Sequence, residues 1–197
     1  TVLVSGQKNF TVDASGSSNF TLTNNGTIWA GESVAVDLKN ATGTITVTNN
    51  AGATIASGER KDANYDILDL TGAGSSGDTI TITNHGTIQN VAKNFATIGI
   101  DSMTSGAIVN FTNTGTITQG SGVAAGSNGA YWGVVNGDSS TDEINFDNSG
   151  TIQGSIRIFR LDGSTNFTLT NSGTIKQDDF RYRNHIFSTE NRIFGTG

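Results

Sequence analysis

Short runs of strict apolar–polar alternation recur along this chain. Phe20/Leu22, Ile45/Val47, Ile80/Ile82, Val109/Phe111, Ile144/Phe146 and Phe167/Leu169 are each separated by a single residue, mostly Thr or Asn. A period of 2 sends the apolar side chains to one face and the polar ones to the other, the mark of a half-buried β-strand. Each run ends in Asn, and Thr-Ile then opens a second strand; in five of the six runs the two are joined by one residue and a Gly. Asn and Gly both tolerate left-handed backbone angles, so the corner between the two strands is expected to use them.

Set side by side, the six copies read FTLTNNGTI, ITVTNNAGATI, ITITNHGTI, VNFTNTGTI, INFDNSGTI and FTLTNSGTI. Their asparagines are Asn24, Asn49, Asn84, Asn113, Asn148 and Asn171, separated by 25, 35, 29, 35 and 23 residues. A third apolar element precedes each copy and ends at Asp13, Asp37, Asp69, Asp101, Asn136 and Arg160, 11 to 15 residues before the Asn. The unit is therefore three short strands and three corners. It cannot bury its apolar side alone, but stacked on copies of itself it pairs every strand in parallel with its equivalent in the next turn. A propeller blade needs a longer repeat than 23 residues. The predicted fold is all-β: a single right-handed parallel β-helix (β-solenoid) of about six three-stranded turns over residues 1–176, with inserts on one corner. Residues 177–197, where the repeat stops, are expected to be a C-terminal cap or an assembly tail. The six asparagines are expected to stack as an amide ladder.

Composition supports a thin core shared among many turns. Only 34% of the 197 residues are hydrophobic, Gly reaches 26, and Cys and Pro are absent. Lack of Cys removes disulfides, thiolate zinc sites and thiol catalysis; lack of Pro suits a chain made of strand ladders. No run approaches the roughly 20 apolar residues of a membrane-spanning helix. The net charge of −6 argues against nucleic acid as a partner. It is also polarised: residues 1–154 carry −8 and residues 155–197 carry +2.

The N-x-G-T-I phrase, the Asn corner and the Gly/Thr/Asn-rich, Cys-free composition resemble the β-helical passenger region of bacterial autotransporter-type, adhesin-like surface proteins. The resemblance covers residues 1 to about 176 and implies an extracellular or bacterial cell-surface location. Passengers of that kind include adhesins, self-associating proteins, proteases and esterases, so it is specific for fold and not for activity. It also implies that the export barrel lies elsewhere in a longer chain or is absent.

Candidate chemistry sits where the repeat is irregular, because insertions in a solenoid gather on a working face. The second, third and fourth copies carry long inserts after Thr-Ile, all leaving the same corner. They bring Tyr65, Phe95, Tyr131 and Trp132 together as a possible face for stacking on sugar rings or for a protein contact; folding back over the solenoid's flank is the plainer role. Asp13, Asp37, Asp69 and Asp101 are expected to stack one strand spacing apart, which repels unless something relieves it. Calcium between turns is one relief; capping of each Asp's own turn by backbone N–H groups is the other, and the calcium-binding nonapeptide is absent. Outward Thr-x-Thr ranks resemble ice-binding faces but break at Asn110, Asn145 and Asp147. His85 and His185 belong to no triad or metal-ligand pattern. The tail is basic and aromatic through Phe180, Arg181, Tyr182, Arg183, Phe187, Arg192 and Phe194.

Together these features point to a non-enzymatic extracellular structural or adhesive solenoid that needs no cofactor. Its expected partner is itself, head-to-tail into a surface fibre. A polysaccharide-binding or polysaccharide-degrading β-helix, with surface glycans as partner, is the alternative, and ice binding a lesser one.

Overall fold

A computed structural model describes residues 2–4, 7–8, 11–31, 33–57, 66–91, 96–103, 106–119, 133–138, 143–154, 158–162, 166–177 and 187–188. Among them every regular element is a strand, and the strands fall into three parallel sheets of seven. The first sheet, A, stacks β1 (Val2–Val4), β4 (Thr21–Asn24), β7 (Ile45–Asn49), β10 (Thr79–Asn84), β13 (Ile108–Asn113), β16 (Glu143–Asn148) and β19 (Asn166–Asn171). Sheet B stacks β2 (Gln7–Lys8), β5 (Thr27–Trp29), β8 (Thr54–Ala56), β11 (Thr87–Asn90), β14 (Thr116–Gln119), β17 (Thr151–Gly154) and β20 (Thr174–Gln177). Sheet C stacks β3 (Val12–Asp13), β6 (Val36–Asp37), β9 (Leu68–Asp69), β12 (Ile98–Gly99), β15 (Val135–Asp138), β18 (Phe159–Asp162) and β21 (Phe187–Ser188). The chain visits A, B and C in strict rotation seven times, which is a parallel β-helix.

There are thus seven turns where the repeat suggests six. The extra strands are β1 and β2, which pair in parallel with β4 and β5, and β21, which pairs with β18. Neither β1–β2 nor β21 carries the N-x-G-T-I phrase, so alternation alone left them unrecognised. The first copy of the phrase, FTLTNNGTI at Phe20–Ile28, therefore lies on the second turn.

The core is a stack of like on like. Leu22, Val47, Ile82, Phe111, Phe146 and Leu169 form one rank of sheet A. Ile28, Ile55, Ile88, Ile117, Ile152 and Ile175 form the rank of sheet B. Every isoleucine of that rank except Ile175 is fully buried. Where the ranks hold phenylalanine, the rings organise the stack: Phe111 lies flat on Phe146 at 4.6 Å, and Phe146 meets Phe159 edge-on at 5.3 Å. Pairs in such geometry gain about 0.5–1.5 kcal/mol beyond their burial.

Candidate functional site

The A-to-B corner is an unbroken amide ladder. Asn24 Nδ2 donates to Asn49 Oδ1 at 2.8 Å, Asn49 to Asn84 at 2.8 Å, and Asn84 to Asn113 at 2.8 Å. Asn113 then donates to Asn148 at 2.6 Å and Asn148 to Asn171 at 2.7 Å. All but Asn171 are fully buried. Second bonds to corner carbonyls, such as Asn24 to Thr54 O at 3.0 Å and Asn49 to Thr87 O at 3.1 Å, use the remaining amide protons. Each link satisfies polar groups that would be costly to bury alone.

Glycine is required at this corner for a different reason than the one expected. None of the ladder asparagines, nor Gly86, Gly115, Gly150 or Gly173, adopts a positive φ. A Cβ on Gly115 would instead overlap the Gly86 carbonyl oxygen, one on Gly150 that of Gly115, and one on Gly173 that of Gly150. From Gly86 onward the corners pack backbone on backbone, and only a residue without Cβ fits there, whereas the longer corner of the second copy holds Ala53 at that position.

The acidic column on sheet C departs from its expected form. Asp13, Asp37 and Asp69 stand in register, but the next position is Gly99, followed by Asn136 and Arg160. Asp101 lies two residues beyond the column, where Asn136 Nδ2 donates to its Oδ1 at 2.7 Å. The slip was invisible in the sequence because a two-residue shift leaves strand alternation unchanged.

The three remaining carboxylates each cap their own turn. Oδ1 of Asp13, Asp37 and Asp69 accepts the backbone N–H two residues on, from Ser15, Lys39 and Thr71, at 3.0 Å in each case. A second bond from the Ser15 hydroxyl, the larger effect, and the Ser15 amide hold the Asp13 carboxyl below its ordinary range. Lys39 supplies the positive charge that the column lacks, with Nζ 3.0 Å from the buried Asp69 Oδ2. Burial opposes charge on Lys39, but its bond to Asp69 and the nearby Asp69, Asp37 and Asp66 charges outweigh this and raise its pKa. Among the described residues no group of three His, Asp or Glu side chains is placed to hold a metal ion.

One group that the alternation pattern hides is central to this corner. Asp66 stands where the first long insert returns to sheet C and is only 7% exposed. Its carboxyl occupies the notch that a side chain on Gly99 would fill. The Ala96 N–H donates to it, while Oδ1 has no hydrogen-bond partner. Burial, then the Asp69 and Asp101 charges, push its pKa well above the ordinary 3.8, against the Ala96 amide and Lys39. Asn136 Oδ1 is likewise buried without a partner. The signal for Asp66 was an acidic residue directly preceding an apolar strand with a glycine at the next turn.

Matched against models of known protein families, curated proteins and solved structures, the chain finds no counterpart in any of them. The inserts leave from β8, β11 and β14 and return at β9, β12 and β15, so their stems lie on one corner of consecutive turns. Tyr65, Phe95, Tyr131 and Trp132 themselves fall outside the described residues. At the base of the inserts runs a second inward polar column that composition alone did not reveal, with Ser57, Asn90 and Gln119 all buried. Ser57 Oγ donates to Asn90 Oδ1 at 3.3 Å, and Asn90 Nδ2 to Ala96 O at 2.8 Å.

On the outer face of sheet A the Thr ranks are in register from Thr21 and Thr23 to Thr81 and Thr83. They break at Asn110, Asn145 and Asp147, where the surface dips into a shallow concavity bordered by Thr112, Thr168 and Thr170. Asn145 Nδ2 there bonds Glu143 Oε1 at 2.9 Å and Asn110 Oδ1 at 3.2 Å. Of the tail, Phe187 lies in β21 on the last turn; Phe180, Arg181, Tyr182, Arg183, Arg192 and Phe194 fall outside the described residues.

Proposed function

We propose that the protein is a non-enzymatic, extracellular structural or adhesive β-solenoid that associates end to end. The observation that carries this reading is the seventh turn. Among the described residues no strand pairs with the outer edge of β19 or β20. Phe167, Leu169 and Ile175, equivalents of core residues in earlier turns, are only partly covered there. A strand edge with apolar side chains and unused backbone groups is a template for another chain. The charge polarity, −8 over residues 1–154 against +2 over 155–197, orients such contacts head to tail, and a repeated heterologous contact that does not close yields a filament.

Sedimentation velocity over a concentration series, with negative-stain microscopy of the same samples, tests this reading. Concentration-dependent growth into rods or fibres is expected; a monomer at every concentration would sink it. A second reading, glycan binding by the inserts, is supported by their shared corner. It predicts glycan-array binding that is lost on Trp132→Ala.

A further inference from the structure

The amide ladder has a direction, and its two ends differ. Within the stack each asparagine donates Nδ2 to the Oδ1 of the following turn, five times without exception from Asn24 to Asn171. At the early end Asn24 Oδ1 accepts only the Gly26 N–H at 3.1 Å among the described residues, which leaves it a second lone pair, and the residue in register on β1 is a valine, Val4, a residue type with no side-chain donor or acceptor. Among the described residues it is open at the late end. Asn171 is exposed, its Oδ1 is taken by Asn148, and its Nδ2 reaches only its own corner carbonyl, Gly173 O, at 3.3 Å. Beside it, Phe167, Leu169 and Ile175 extend the three core ranks of sheets A and B to the same edge.

From this geometry we infer that the seventh-turn edge is a binding site for one kind of segment: a strand–corner–strand carrying the pattern apolar-x-apolar-x-Asn-x-Gly-Thr-Ile. The apolar residues of such a segment continue the ranks ending at Phe167, Leu169 and Ile175. Its Asn offers the Oδ1 that the Asn171 amide faces, and its Gly is what the backbone-on-backbone corner requires above Gly173. The first turn of a second copy is the poorer ligand. In that register Asn171 would meet Val4, a residue type that offers its amide proton no acceptor, the costly outcome for a buried donor. In end-to-end association the partner therefore engages through an Asn-bearing repeat, with the Asn24 turn the first one available once β1 and β2 give way. This rests on the end-to-end reading and names the segment that the edge selects.

The test uses the full chain and a labelled synthetic peptide of residues Asn166–Lys176, with binding followed by fluorescence anisotropy. The same peptide carrying Asn171→Leu is the control. The Asn peptide is expected to bind at least about ten-fold more tightly than its Leu counterpart, the scale of one buried donor left unpaired. In the chain variant Asn171→Leu that preference should vanish while both peptides still bind through the apolar ranks. Equal binding of the two peptides to the natural chain, or binding of neither, overturns the inference. Sedimentation of the unmodified chain is read separately. Rods formed without any peptide preference would refute the named segment and leave end-to-end association standing.

Discussion

Replacing Asp66 by Asn tests the acidic corner directly, because the substitution keeps the shape of the side chain and removes its capacity for charge. In the natural chain the carboxyl is buried in the notch over Gly99, with Oδ1 unpartnered and Asp69 and Asp101 nearby. Its folded pKa lies above the unfolded 3.8, so between those two values the folded state holds more protons than the unfolded one. Stability then falls as the pH rises through that window and levels off above the folded pKa; the contribution is complete only below 3.8. Inside the window each pH unit removes about 1.4 kcal/mol. For a chain of this size that is about 3–5 °C of melting temperature per pH unit. In Asp66→Asn the amide oxygen can still accept the Ala96 N–H, and the uncharged side chain is no longer opposed by the Asp69 and Asp101 charges. The variant should therefore melt above the natural protein at pH 7, and the two should converge toward pH 4.

Thermal melts from pH 4 to 8, with amide exchange at Ala96, Ile98 and Leu70, provide the assay. Two other groups must be kept apart from Asp66. Asp13, with its pKa lowered, stabilises above 3.8 and loses this as pH falls through its folded value, the opposite sign and more acidic. Lys39, with its pKa raised, stabilises below 10.5 and loses this only as pH climbs through its folded value. Between pH 5 and 8 neither contributes slope. Parallel melting curves for the two proteins from pH 4 to 8, or a variant less stable at pH 7, would refute a raised pKa at Asp66.

Other parts of the stack give sharper mechanical expectations. Asn113→Leu orphans the Asn84 amide proton and the Asn148 acceptor in a dry corner, and should cost about 2–4 kcal/mol in chemical denaturation. Gly115→Ala drives a methyl into the Gly86 carbonyl and should cost about 3 kcal/mol or more, whereas Gly16→Ala, with open space but φ +64, should cost about 1 kcal/mol. Phe146→Ala removes the ring between Phe111 and Phe159 and should lose about 3–5 kcal/mol, with Phe146→Leu far milder. Lys39→Met leaves the Asp69 carboxylate buried without its counter-ion. A loss of about 1–2 kcal/mol is expected, moderated because Lys39 itself reaches solvent, and 1 M salt should shrink the difference.

The ladder, the ranks of sheets A and B and the common corner of the inserts were legible because each rests on a motif repeated six times with the same neighbours. What escaped the sequence lies at corners and ends, for one physical reason. Alternation assigns a residue to a face but leaves its register open by steps of two, since a two-residue slip returns every side chain to the face it left. IGID at Ile98–Asp101 reads as another copy of VAVD at Val34–Asp37, and only the pairing of Gly99 with Asp69 shows that the acid has moved to the corner. The same slip empties the column at Gly99, and it is that emptiness into which Asp66 folds from the preceding turn. The terminal strands escaped for the complementary reason: Val2–Val4 and Phe187–Ser188 are placed by neighbours already in position, not by a pattern of their own. In a solenoid, then, faces are written locally while corners and ends are written between turns. The polar groups left unpaired at a corner or an end are where we propose that such a chain responds to pH or to a partner. Asp66 and Asn171 are of that kind: one is a carboxyl with an oxygen lacking a donor, the other an amide that, among the described residues, lacks an acceptor on a next turn.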